Sequence, residues 1–209
     1  MPEGRLPHPP VIDIPTTSET REKINLPPMV IALSGPPLTG KTTIAMMLAE
    51  HSNAQVFDVD AIRQAHYPPL PGPRDPQVEK ETMPKVYEKM YELAGEAINS
   101  GAPVILVATF SKDTYHQALA NFCEDLGQDL PFIRFLLKFP PETIEAAVTE
   151  RLTARNKKGS DSNIKTFADF DEVNRRFIDM DGAHKLDPAL KPEEILTEAM
   201  RVLSPYAAT

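Results

Sequence analysis

The chain has one cysteine, Cys123, and no tryptophan in 209 residues. A lone cysteine closes no internal disulfide, which excludes a disulfide-held secreted scaffold. No apolar run approaches the roughly 18 residues that a membrane-spanning helix needs. The opening residues lack the basic-then-apolar pattern of a secretory leader, and Glu3, Asp13 and Glu19 argue against a transit peptide, so a cytoplasmic location is expected. Basic residues are in deficit: 22 Lys and Arg against 30 Asp and Glu, a formal net charge of −8. Such a chain is repelled on average by nucleic-acid phosphates, so the expected partner is a small molecule rather than a nucleic acid or a membrane. Aromatics at 7% without tryptophan advertise no stacking platform for single strands.

Proline is plentiful, 22 residues, and unevenly placed. Residues 1–27 carry Pro2, Pro7, Pro9, Pro10, Pro15 and Pro27 without helical or strand periodicity, and read as an extended, poorly ordered arm, with Val11 to Ile14 as the part able to pack on the core. Residues 28–209 form the expected domain. A second cluster, Pro68, Pro69, Pro71, Pro73, Pro76 and Pro84, predicts a substrate-side loop over 67–84.

Elsewhere apolar runs alternate with helical patterns. Strands are expected at 29–34, 55–58, 103–108, 132–138 and 183–186. Helices are expected at 41–51, 60–65, 78–100, 112–126, 142–155, 167–177 and 193–203. The 78–100 helix overlaps the proline loop, and its apolar face is Val86, Met90, Leu93 and Ala97. Strands alternating with helices define an α/β domain with a parallel sheet covered on both faces.

Between the first strand and helix lies Gly35-Pro36-Pro37-Leu38-Thr39-Gly40-Lys41-Thr42, an unbroken G-x-x-x-x-G-K-[ST]. Its glycines let the backbone curl so that N–H groups face a phosphate, and the following helix adds its positive end. Lys41 is placed to reach β- and γ-phosphates, and Thr42 to ligate Mg²⁺. Pro36, Leu38, Thr39 and Thr43 complete the candidate nucleotide cradle. ATP and Mg²⁺ are therefore the expected cofactors. The guanine-reading N-K-x-D of a GTPase is missing: Asn156-Lys157-Lys158-Gly159 lacks its aspartate.

After the second strand comes Asp58-Val59-Asp60-Ala61-Ile62-Arg63. If the strand stays extended, Asp58 and Asp60 point the same way at the ligand-binding edge of the sheet. Two carboxylates beside a phosphate loop suit metal ligation and removal of a hydroxyl proton. Arg63 shares a helix face with Asp60 and can clamp an anionic acceptor group; the structural alternative makes Asp60 a helix cap and the two a surface pair. Later, Arg151 and Arg155 fall four apart at a helix end. They serve the helix dipole or belong to a lid over 151–166.

The set Gly35 to Thr43, the D-x-x-R at 60–63, the PVILVATF strand and the R-x-x-x-R-N beginning at Arg151 resembles the zeta-toxin and polynucleotide-kinase-like group of P-loop kinases, the chloramphenicol-phosphotransferase-like enzymes among them. The resemblance implies a P-loop NTPase three-layer sandwich whose five-stranded parallel sheet has the order 2-3-1-4-5. It also implies that Asp60 is the base for the acceptor hydroxyl, that Arg63 holds the acceptor, and that Arg151 and Arg155 contact the nucleotide. That group ends its third strand with an aspartate near Mg²⁺, where this chain has Val107. Either Asp58 substitutes, or transfer is weak or lost. Three readings follow: a small-molecule or nucleotide-type hydroxyl kinase, a 5′-hydroxyl nucleic-acid kinase, and an ATP-binding regulatory protein.

Overall fold

The computed structural model describes residues 23–67, 76–157 and 164–207, and gives the backbone alone for residues 76–79. In chain order the elements are β1 (Val30–Ser34), α1 (Lys41–Glu50), β2 (Gln55–Asp58), α2 (Val59–His66), α3 (Pro76–Asn99), β3 (Val104–Val107), α4 (Asp113–Leu126), β4 (Phe132–Leu137), α5 (Ile144–Lys157), α6 (Phe167–Arg175), β5 (His184–Leu186) and α7 (Pro192–Leu203). The five strands form one sheet in the order β2-β3-β1-β4-β5, and every pairing is parallel. The expected P-loop NTPase sandwich is what the chain builds.

The strand alternation sorts β1 and β3 between two cores. Ile31, Leu33, Ile105 and Val107 face α1 and α7, packing with Ile44, Leu48, Leu196 and Leu203. Val30, Ala32, Val104 and Leu106 face α3 and α4, packing with Val86, Met90, Ala94 and Leu119. Both faces of β1 are buried, so it reads as a continuous apolar run rather than an alternating one. The register sets Leu33 beside Val107, and Val107 beside Asp58. These positions lie at the carboxyl edge of the sheet, where ligands bind in such folds.

Three expectations need correction. The proline loop does not reach Pro84: α3 begins at Pro76 and contains Pro84 in its interior. Pro84 is exposed and removes a single helical hydrogen bond, while Val86, Tyr87, Met90, Ala94 and Ala97 behind it are buried and hold the helix in place. The expected loop residues 68–75 lie outside the described residues, as does most of the arm. The arm also ends earlier than expected. Ile24 bridges to Ser52, and Leu26 is 2% exposed within the core. Asn53 accepts from the Leu26 N–H at 2.8 Å and donates to its carbonyl at 3.0 Å. Last, β2 stops at Asp58 and helix starts at Val59, so Asp58 and Asp60 are not successive residues of one strand face.

No helix among the described residues is long and apolar enough to cross a membrane.

Candidate functional site

The turn from β1 to α1 is shaped by positive φ angles at Gly35 (148°), Leu38 (66°) and Gly40 (86°). Gly35 has a second constraint: a Cβ there would lie 2.2 Å from the Leu137 carbonyl oxygen at the end of β4. Leu38 holds a left-handed conformation that a branched side chain rarely takes, a strain usually found where geometry is needed for function. Thr39 is buried and its hydroxyl donates to the Pro36 carbonyl at 2.9 Å, bracing the loop from inside. Gly40 precedes α1 without a side-chain cap. The first N–H groups of α1 therefore keep their capacity for an anion.

Lys41 folds over this loop, its ammonium donating to the Gly35 and Pro36 carbonyls, each at 2.9 Å. Burial lowers its pKa to about 8, while Asp60 and Asp58 pull it back up. Lys41 thus shares a field with both aspartates.

Thr42 donates to Asp58 Oδ2 at 2.7 Å. The other oxygen of Asp58 accepts the Asp60 N–H at 2.8 Å, so Asp58 is the N-cap of α2, the part that the structural alternative had given to Asp60. One carboxylate ties the phosphate loop to the start of α2. Asp60 stands in the first turn of α2 with its side chain 78% exposed, 4.0 Å from Arg63 Nε on the next turn. Thr42, Asp58 and the neighbouring loop present hard oxygen donors on an accessible edge, the donor set that Mg²⁺ takes together with phosphate oxygens. Among the described residues no group of three or more His, Cys, Asp or Glu could hold a metal ion by itself.

The two late arginines separate. Arg151 reaches the loop: it donates to the Leu38 carbonyl at 2.7 Å and to the Pro188 carbonyl beyond β5, with its guanidinium over the Phe139 ring at 5.0 Å. Arg155 turns away and donates to the Ile164 carbonyl. Asn156 beside it donates to Lys165 at 3.0 Å, so this part of the motif closes the stem between α5 and α6. Residues 158–163 of the expected lid lie outside the described residues. The structure therefore gathers Gly35, Pro36, Leu38, Thr39, Gly40, Lys41, Thr42, Asp58, Asp60 and Arg151 around one loop, with Thr43 on the exposed first turn of α1, and leaves Arg155 apart.

Sequence reasoning missed Ser34, which is fully buried and donates to the Thr109 carbonyl at 3.2 Å, joining the end of β1 to the turn after β3. A polar residue closing an apolar strand was the available signal. It also missed Phe139 and Pro188, which support Arg151 through packing and a carbonyl and carry no sequence mark of that role.

Residues 30–178 match the AAA domain family, and the chain belongs to it. That match covers the phosphate loop and both aspartates, and is broader than the kinase group the motifs resemble. Among curated proteins none matches. Solved structures share the fold at low identity. A provisionally assigned kinase from Chloroflexus aurantiacus superposes with a TM-score of 0.65 at 20% identity, over 87% of this chain and 99% of that one. A gluconokinase from Sinorhizobium meliloti gives 0.57 at 18%, over 86% and 94%. An APS kinase from Mycobacterium tuberculosis, solved with AMPPNP and APS, gives 0.59 at 15%, over 84% and 97%.

Proposed function

We propose that the protein is an ATP-dependent phosphotransferase that moves the γ-phosphoryl group of ATP to a hydroxyl of a small-molecule or nucleotide-type acceptor. It would then be one of the zeta-toxin and polynucleotide-kinase-like enzymes. The observation that carries this reading is the field shared by Lys41 and the two aspartates across the Thr42–Asp58 hydrogen bond. The hydrogen bond sets the loop that carries Lys41 beside the start of α2 that carries the exposed Asp60, the juxtaposition that transfer to a hydroxyl requires.

In this reading the Gly35 to Thr43 loop and the start of α1 hold the phosphates. Lys41 follows the charge that develops on the transferring group. Mg²⁺, when bound, would be held by Thr42 and Asp58 and would neutralise charge on the β- and γ-phosphate oxygens. Asp60 takes the proton of the acceptor hydroxyl, and Arg63 orients an anionic group on the acceptor. Arg151, held between the phosphate loop and the segment after β5, fixes the nucleotide end of the pocket. Arg155 keeps the lid stem closed rather than touching nucleotide in the present conformation.

Val107 favours the regulatory reading until its neighbour is considered. Asp58 lies directly across from Val107 in the sheet and already holds the Thr42 hydroxyl. The carboxylate is displaced by one strand rather than lost. A small acceptor is favoured over a polymer by the charge of −8, and by the gluconokinase and APS kinase among the structural neighbours.

The test is ³¹P NMR of the purified protein with MgATP and pooled hydroxyl-bearing metabolites. A new phosphomonoester resonance is expected. ATP that binds with neither transfer nor hydrolysis would move the reading to a regulatory protein.

A further inference from the structure

A cavity of about 290 Å³ opens between α4, β4 and the segment before β5, lined by Asp113, His116, Gln117, Arg134 and Asp181 over a floor of Leu119, Ala120, Phe132 and Met180. It shares no residue with the phosphate-loop site. Arg134 stands mid-strand in β4, on the sheet face it shares with Phe132 and Leu136. Its guanidinium covers the Phe132 ring at 5.1 Å and approaches to 3.1 Å the point where a Cβ on Gly182 would sit. That close approach, with Gly182 at a φ of 65°, means that the segment before β5 is shaped to pass over this side chain.

Among the described residues Arg134 is in no ion pair; its charge is felt by the Cys123 thiol, whose pKa it lowers against the rise that burial causes. The carboxylates of Asp113 and Asp181 line the same cavity, and neither comes within 4.0 Å of Arg134 or of another cation there. Asp113 stands in the first turn of α4, where the helix dipole favours it. Both carboxylates are exposed at the rim, where pairing with a neighbour gains little, so they stay open to a cationic group, with the half-buried Arg134 and an apolar floor below them.

The cavity is also wired to the active edge of the sheet. His116 donates its Nε2 hydrogen to the Phe110 carbonyl at 2.6 Å. Phe110 is fully buried in a left-handed conformation, φ 45°, an arrangement that needs outside support in an aromatic residue. The neighbouring Ser111 carbonyl accepts from Ile178 of the segment that carries Asp181. Phe110 follows Thr109, whose carbonyl receives Ser34.

We infer that this cavity is a binding site for a small zwitterion of free amino-acid size, its anionic group on Arg134 and its ammonium between Asp113 and Asp181, with occupancy felt at the Thr109 to Ser111 turn. The inference goes beyond the phosphotransfer reading and does not rest on it.

The experiment is an amide ¹H–¹⁵N titration of the full chain without nucleotide. The probes are glycine, β-alanine, γ-aminobutyrate and L-glutamine, with butyrate and butylamine as single-charge controls. At least one zwitterion is expected to shift His116, Arg134 and the 109–111 amides saturably while both controls fail at equal concentration. Arg134→Met, which keeps the packing on Phe132, should weaken that probe at least tenfold, and Asp181→Asn should weaken it while leaving the fold's spectrum intact. The inference is overturned if no zwitterion binds, if butyrate binds as well as γ-aminobutyrate, or if Arg134→Met binds unchanged. Repeating the titration on Asp60→Asn separates it from the kinase reading, since binding should be unaffected there.

Discussion

Thr42 donates a 2.7 Å hydrogen bond to Asp58, and through it the phosphate loop is fixed to the tip of β2 rather than to the tip of β3. The β2–β3 register explains how this works without distortion. Asp58 and Val107 occupy the same level of the sheet on adjacent strands, so a carboxylate moved from one to the other still reaches the first turn of α1.

Asp58 also caps α2, and its two tasks can be separated. Asparagine caps helices about as well as aspartate, so Asp58→Asn should change stability by less than about 0.5 kcal/mol. Asp58→Ala should lose about 1 kcal/mol in denaturant unfolding. Both should lower MgATP turnover, by about tenfold to a hundredfold, because both remove the carboxylate charge at Thr42. Full turnover in Asp58→Asn would show that the metal does not depend on this residue.

On the proposed reading, Lys41 should make nucleotide binding pH-dependent. Its pKa is lowered to about 8 by burial, so below that value it is charged, and above it the ammonium is lost. ATP affinity should fall as pH rises through about 8. Bound phosphate stabilises the ammonium, so binding near pH 8 should take up protons and binding near pH 6 should not, at least from this group. Calorimetry in buffers of different ionisation enthalpy reads this directly. The same shift has the opposite sign for folding. Between about pH 8 and the ordinary lysine value of 10.5 the unfolded chain holds more protons at this group, so its contribution to stability rises with pH there.

Gly35→Ala should fail both sterically and conformationally. The new Cβ would lie 2.2 Å from a backbone oxygen of β4, at a φ of 148°. A loss of more than about 2 kcal/mol is expected in chemical unfolding, with ATP binding abolished, since neither loop nor strand can yield cheaply. A variant as stable as the parent would mean that the loop relaxes away from Leu137.

Pro84→Ala should stabilise the protein. Pro84 is exposed inside α3, where proline is about 3 kcal/mol worse than alanine in a helix interior. A gain of about 1 to 3 kcal/mol is expected by thermal or urea unfolding. No gain would indicate that α3 is already locally adapted to the proline.

How much of this was legible in the sequence depends on how local each signal is. The phosphate loop is a contiguous pattern with a fixed geometry, and the apolar runs of β1 and β3 announce a sheet buried on both faces, so loop and parallel sheet followed; the strand order came only from the resemblance to the P-loop kinases. Pro84 was misleading because propensity counts a lost hydrogen bond, whereas packing by Val86, Met90 and Ala94 holds the helix regardless. The end of β2 was misread because period-two alternation was carried past Asp58, whose side chain instead folds forward to cap α2. The partition of Arg151 and Arg155 was not legible at all. Both are on one helix, and only the tertiary positions of Leu38, Pro188 and Ile164 decide which carbonyl each one meets.

The measurement that tests the central claim most directly compares wild type with Asp60→Asn in parallel, ATP affinity by titration and phosphomonoester formation by ³¹P NMR with MgATP and the acceptor pool. Asp60 is exposed and makes no structural cap, so the variant should fold and bind ATP as the parent does. It should form no detectable phosphomonoester, while the wild type forms one. Equal turnover in the two proteins would contradict the assignment of Asp60 as the base and, with it, the proposed route of phosphoryl transfer.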